Sequence, residues 1–152
     1  MKPAATAVTA LILETFRLNG RLLAAGDALV GNLDLTSARW QVLGAVAAAP
    51  LPLSVAQIAR SMGLTRQGVQ RLANDMERDG LLRFAANPNH QRAKLVVMTP
   101  RGQAAYSAAM KRQAPWAQAL AQGLTAQQIA GATVILKQLR QKLERDETEE
   151  GD

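Results

Sequence analysis

Five polar side chains between residues 66 and 74 stand at spacings that gather them on one flank of a helix. Arg66, Gln67, Gln70, Arg71 and Asn74 carry guanidinium and carboxamide groups. Such groups pair bidentately with the edges of guanine and adenine in a major groove. At 100° per residue the five centre roughly 140° from Val69, Leu72, Ala73 and Met76, whose i, i+3, i+4, i+7 spacing makes a buried stripe. A helix clamped to its own protein on one side, with forked donors on the other, has the form of a reader of duplex DNA. A polar face alone is more often simply solvated, so the neighbouring elements decide.

Those neighbours form one continuous unit over residues 54–98. Ser54 followed by Gln57 is a capping box that starts a short helix, and Val55, Ile58, Ala59 and Met62 give it an apolar stripe. Gly63 permits a tight turn, and Thr65 is a fitting N-cap for the helix that carries the arginines. Two short helices joined by a turn with glycine match the helix-turn-helix pattern. Gly80 then stands where a helix end takes a left-handed residue. Residues 81–84 and 94–98 are strand-like runs, with the turn signal Asn87-Pro88-Asn89 between them. The hairpin tip carries His90, Gln91 and Arg92, and a cation there suits the negative potential of a narrow A·T-rich minor groove.

In these stretches the chain resembles the MarR family of bacterial winged helix-turn-helix transcription regulators, dimeric proteins that commonly answer to small phenolic or lipophilic ligands. The likeness is carried by Leu35-Thr36 with Arg39-Trp40-Gln41-Val42-Leu43, by residues 64–72, by residues 76–82, and by the wing ending Arg92-Ala93-Lys94-Leu95-Val96. Met98-Thr99-Pro100-Arg101-Gly102 extends it, for about 70 residues of direct match. The resemblance implies a mainly α fold with a small β-hairpin wing: a winged helix-turn-helix over about residues 36–99, flanked by dimerisation helices at about 6–31 and 100–143. It places Arg66, Gln67, Gln70 and Arg71 at the family's major-groove and phosphate contacts, and Arg92 at the wing arginine. With the cap and the wing base included, the candidate DNA-contacting set is Thr65, Arg66, Gln67, Gln70, Arg71, Asn74, Arg92 and Lys94. Two departures stand out. The family's wing often opens with Asp and has an acidic residue before its arginines, whereas this wing has Asn87, His90, Gln91 and Arg92, so the acidic brace is missing or replaced by Asn87. Gly68, in the first turn of the reading helix, costs about 1 kcal/mol of helix propensity against Ala, so either the chain's backbone comes close to DNA there or the position is tolerated.

Composition agrees with this reading. The 152 residues suffice for one domain, assigned to 1–143, and 48% hydrophobic content suits a globular core. The net charge of +6 hides an asymmetry: residues 1–143 hold 17 basic and 6 acidic side chains, whereas residues 144–152 hold six acids and only Arg145. So basic a body favours a polyanion as partner, and the acidic tail 144–152 is expected to be disordered. The absence of cysteine removes disulfides and thiol-based redox sensing. A single histidine makes a transition-metal sensor a poor fit, and no cofactor is expected. Neither a glycine-rich phosphate loop nor paired acids suggest an enzyme. Five aromatic residues, none on the reading face, argue against base stacking on RNA. The apolar stretch 4–13 after Lys2 runs into Glu14, Arg17 and Arg21 and reads as a helix face, so the protein is expected in the cytoplasm on the nucleoid, away from membrane.

The flanks read as long helices. The first runs from about Thr6 to Gly31 with a stripe of Leu11, Ile12, Phe16, Leu22 and Leu23, and the second from Thr36 to about Ala49, ended by Pro50 and Pro52. Thr99 with Pro100 starts a fifth, and Thr125 with Gln128 boxes a sixth. There Ile129, Ala132, Leu136, Leu139 and Leu143 form a narrow seam suited to helix packing. These terminal helices are assigned to a two-fold dimer interface, an intramolecular bundle being the rival. A homodimer would offer two reading helices to successive major grooves of a pseudo-palindrome. A small aromatic or lipophilic effector, implied by the resemblance, would act by favouring a helix spacing that misses those grooves; its pocket is unassigned, with Trp40 and Phe16 as nearby aromatics. The rival function, a helical oligomerisation module with only nonspecific nucleic-acid affinity, explains the terminal helices but not the Arg/Gln face.

Overall fold

The computed structural model describes residues 2–149. Five of the six helices begin where a local side chain answers the free N–H groups of a first turn, which is why those boundaries follow from short-range sequence. Helix α1 covers Pro3–Val30, with Pro3 at its first position, and runs into a 3-10 turn at Gly31–Leu33. Helix α2 (Ser37–Ala48) starts on Thr36, whose hydroxyl accepts the Arg39 N–H at 3.1 Å. Strand β1 (Leu53–Ser54) precedes helix α3 (Val55–Met62), and the Ser54–Gln57 box is fully formed: Oγ accepts the Gln57 N–H while Gln57 Oε1 accepts the Ser54 N–H. Gly63 turns the chain at φ +65°, and helix α4 (Arg66–Arg78) begins on Thr65, which accepts the Gly68 N–H at 3.1 Å. Strands β2 (Leu82–Ala85) and β3 (Leu95–Met98) form an antiparallel hairpin, Leu82 opposite Met98 and Ala85 opposite Leu95. Helix α5 covers Pro100–Leu120, with Thr99 Oγ1 accepting the Gly102 N–H, and helix α6 covers Ala126–Glu149 behind the reciprocal Thr125–Gln128 box.

One strand was missed by sequence. β1 adds to the hairpin through β3, in the order β1-β3-β2, with Leu53 opposite Val96 and Ser54 opposite Leu95. Two residues long, with partners more than forty positions away, it leaves no periodicity to read. A second difference lies at the C-terminal end. Residues 144–149 are not a disordered tail: α6 continues through them to Glu149, helped by the Arg140–Glu144 ion pair one turn apart. Glu150 and Asp152, the remaining acids of that tail, lie outside the described residues.

The chain separates into two compact units, Met1–Gln113 and Ala114–Asp152. The core belongs to the first, where Leu43 of α2, Ile58 of α3, Met76 of α4, Leu81 just before the sheet, and Leu82 and Val96 within it are all but inaccessible. Burying a side chain of this size stabilises by about 1.5–3 kcal/mol, so these contacts set the helix-turn-helix rigidly against the wing. The expected stripes meet here: Val55, Ile58 and Ala59 from α3, Val69, Ala73 and Met76 from α4, with Met62 and Leu72 half-buried around them. The terminal helices differ. Of the 28 residues of α1 only Gly26 and Val30 are buried, and α6 buries none of its described side chains. No helix among the described residues is long and apolar enough to cross a membrane.

Candidate nucleic-acid interface

Because α4 is gripped through Val69, Ala73 and Met76, its opposite side must face outward. Thr65, Arg66, Gln67, Gln70, Arg71 and Asn74 are all exposed. They do not all line the same hollow. At 100° per residue Arg66, Gln70 and Asn74 span an arc of about 80°, while Gln67 and Arg71 lie further round the helix. Accordingly, Arg66, Gln70 and Asn74 line an open groove of about 530 Å³, closed on its far side by Phe84, His90, Ala93 and Lys94 of the wing and floored by Ser54, Val55 and Ala56. Thr65 and Arg71 border a separate hollow beside Ala38, Leu64 and Leu72. Gln67 is exposed and lines neither. Arg92 is exposed on the wing loop, outside the groove that holds Lys94.

The electrostatics of the groove are one-signed. Arg66 and Lys94 line it and no carboxylate does. Among the described residues neither these two nor Arg71 and Arg92 pair with an acid, since Asp75, the nearest acid along α4, is occupied by Arg78 at 2.6 Å. The positive end of the α4 dipole adds to the field at Arg66. Gln70 Nε2 donates to Asn74 Oδ1 at 2.9 Å. This i,i+4 bond orders both amides and leaves Gln70 its Oε1 and a second N–H, the pair that adenine recognition requires.

The wing tip is organised by backbone capture rather than by an acid. Asn87 Oδ1 accepts the Asn89 N–H at 3.0 Å, and His90 Nδ1 accepts the Ala93 N–H at 3.1 Å. Asn87 therefore braces the turn and not Arg92. His90 was outside the sequence-derived set although it lines the groove; its place at the tip was visible, but its orientation depends on a hydrogen bond three residues on. Gly68 also gains an explanation that sequence did not offer. A Cβ there would stand 3.0 Å from Thr65 Oγ1, the cap of the same helix.

A second charged cluster, unforeseen from sequence, sits at the other end of α4. Arg39 Nη2 reaches Asp79 Oδ2 at 2.6 Å, and Arg101 lies 3.5 Å from the Asp34 carboxylate. The Arg39 hydrogen bond, with the fields of Arg39, Arg78 and Arg101, holds the Asp79 carboxyl below its ordinary 3.8. No group of metal-ligating side chains occurs among the described residues.

A helix-turn-helix backed by a three-stranded wing, with cations along the cleft between them, defines the winged helix-turn-helix class of DNA-binding regulators. The sequence model of the MarR family matches residues 33–93, from the end of the 3-10 turn into the wing loop before β3. The chain is 38% identical over 105 residues to an uncharacterised protein of Mycobacterium tuberculosis, covering 69% of this chain and 72% of that one. It is 31% identical over 94 residues to the transcriptional activatory protein BadR of Rhodopseudomonas palustris, covering 60% of this chain and 54% of BadR. Its fold matches the PcaV transcriptional regulator of Streptomyces coelicolor, solved in complex with its natural ligand, with a TM-score of 0.67 at 25% identity over 80% of this chain and 88% of that one. The chain belongs to the MarR family, whose members regulate transcription by binding DNA, pair as homodimers and are not enzymes.

Proposed function

We propose that the chain is a sequence-specific regulator that binds a pseudo-palindromic operator in duplex DNA as a homodimer, and that it represses transcription until a small aromatic or lipophilic effector releases it. The observation that carries the DNA reading is the groove itself: Arg66, Gln70 and Asn74 on one wall, Lys94 and His90 on the other, and no acid between. Arg66, Gln67, Gln70, Arg71 and Asn74 serve the major groove, Thr65 the phosphate at the helix start, and Arg92 and Lys94 the flanking backbone and minor groove. The protein acts in the cytoplasm, on the nucleoid.

Effector control has narrower support. PcaV is solved with its natural ligand, and Trp40 and Tyr106 are half-buried aromatics of the first unit. Phe16 is 71% exposed. Repression is proposed as the simpler mode, in which an operator-bound dimer obstructs a promoter.

Selection of bound fragments from random DNA, with and without candidate phenols, tests the whole proposal. The expected product is an inverted repeat with half-sites about 34–36 Å apart, lost when an effector is added. Uniform recovery of all sequences would leave only the nonspecific oligomerisation module standing. A reporter driven from the selected site distinguishes repression from activation.

A further inference from the structure

The charge cluster at the C-terminal end of α4 is costly where it stands. Asp79 caps the helix at the negative end of its dipole, where an acid is disfavoured. Local helix stability therefore does not account for it. A partner from elsewhere does. Arg39, on α2, spans two elements at once: Nη2 donates to Asp79 Oδ2 at 2.6 Å, and Nη1 donates to the Asp34 carbonyl at 3.3 Å. The Arg39 side chain is only 18% exposed, so its reach is fixed by packing. Asp34 itself is held in the left-handed conformation, φ +57°, where the 3-10 turn ends, and its carboxylate faces Arg101 of α5. One guanidinium thus joins the end of the α1 segment, α2 and the last turn of α4.

Leverage gives that joint its importance. A 13-residue helix is about 20 Å long, so a tilt of about 5° at one end moves the other by nearly 2 Å. Base readout needs donors placed to within about 0.5 Å. The apolar stripe of α4 resists separation from the core better than it resists pivoting, because burial is non-directional whereas a charge-assisted hydrogen bond is not.

We propose that Arg39 is a positioning residue for the reading helix: by bridging Asp34 and Asp79 it sets the angle at which Arg66, Gln70 and Asn74 meet DNA, without touching DNA itself. This rests on the assignment of α4 as the DNA-reading helix. Affinity for the correct sequence depends on that angle, whereas phosphate attraction to a basic surface hardly does.

The test measures binding of full-length wild type, Arg39→Gln, Asp79→Asn and the double variant to the selected operator and to a scrambled duplex of the same length. Each single variant is expected to bind the operator about tenfold more weakly and the scrambled duplex within twofold of wild type. The double variant should lose about the same tenfold, because the Arg39–Asp79 link is broken in every case. Arg39→Lys and Asp79→Glu, which keep the charges and loosen the geometry, should fall between and serve if the neutral variants fold poorly. Unchanged operator binding, equal losses on both duplexes, or a hundredfold additive loss in the double variant would each overturn the proposal. A wild type without sequence preference would overturn the DNA-reading assignment and the positioning role with it. A wild type with preference and indifferent variants would overturn the positioning role alone.

Discussion

At the scale of single residues, the exposed arginines and the capped glycine make separable predictions. Arg66 lines the wing groove and Arg71 the opposite hollow, and neither is paired with an acid. Arg66→Ala should cost about 1–3 kcal/mol of operator binding and relax preference at one base pair. A uniform loss across all sequences would reassign the side chain to a phosphate. Gly68→Ala tests the cap. The new Cβ would crowd Thr65 Oγ1, so about 1 kcal/mol of helix propensity is gained while about 1 kcal/mol of capping is lost. Thermal stability should therefore barely move, and a large destabilisation would mean the hydroxyl has nowhere to turn. Asp79 gives a pH dependence of known sign. Its folded pKa lies below 3.8, chiefly through the Arg39 hydrogen bond, so the pair's contribution is complete above 3.8 and drains as pH falls through the lowered value. Wild type should melt higher than Asp79→Asn near neutrality, with the two curves converging as the pH falls below 3.8; a gap that stays constant on acidification would show that the charge is irrelevant.

Among elements, the decisive junction is where α5 leaves the wing. Thr99 Oγ1 donates to the Gly80 carbonyl at 2.6 Å, and the Thr99 N–H donates to the Leu81 carbonyl at 3.2 Å. This brings Gly102 so close that a Cβ would stand 2.0 Å from Leu81 O. Gly102→Ala must displace backbone, and a loss of about 1–3 kcal/mol in chemical denaturation is expected. A melt indistinguishable from wild type would mean that α5 can slide along the sheet. That contact was invisible in the sequence, and the reason is general to this chain. Thr36, Ser54, Thr65, Thr99 and Thr125 mark helix starts through bonds to residues three positions on, so five starts were legible. The polar face of α4 was legible for the same reason, since 3.6-residue periodicity is local. What sequence concealed is long-range: β1 against β3, Arg39 against Asp79 forty residues away, and Ser37 filling the space that Gly26 leaves. The division of the α4 face into two flanks likewise depends on where the wing lies.

For the whole molecule, the unanswered surface is apolar. Phe16 is 71% exposed and Ile12 43% on α1, while Ile129, Leu136 and Leu143 recur at seven-residue intervals along α6 with 41%, 40% and 66% exposed. Faces of this extent are uncommon on a protein that stays monomeric. Homodimerisation, general in this family, would supply a second copy to cover them and at the same time double the number of reading helices. Joining two half-site contacts raises overall affinity by about 10²–10⁴, because the second contact becomes intramolecular. Phe16→Glu puts a charge into that face while leaving the protomer core untouched. The variant should keep its helical circular dichroism, sediment as a monomer, and bind a full operator about 100-fold more weakly than wild type, no better than it binds an isolated half-site. Should it sediment as a dimer with undiminished preference for the full operator, the α1 face takes no part in assembly, and the two reading helices are brought together by some other surface.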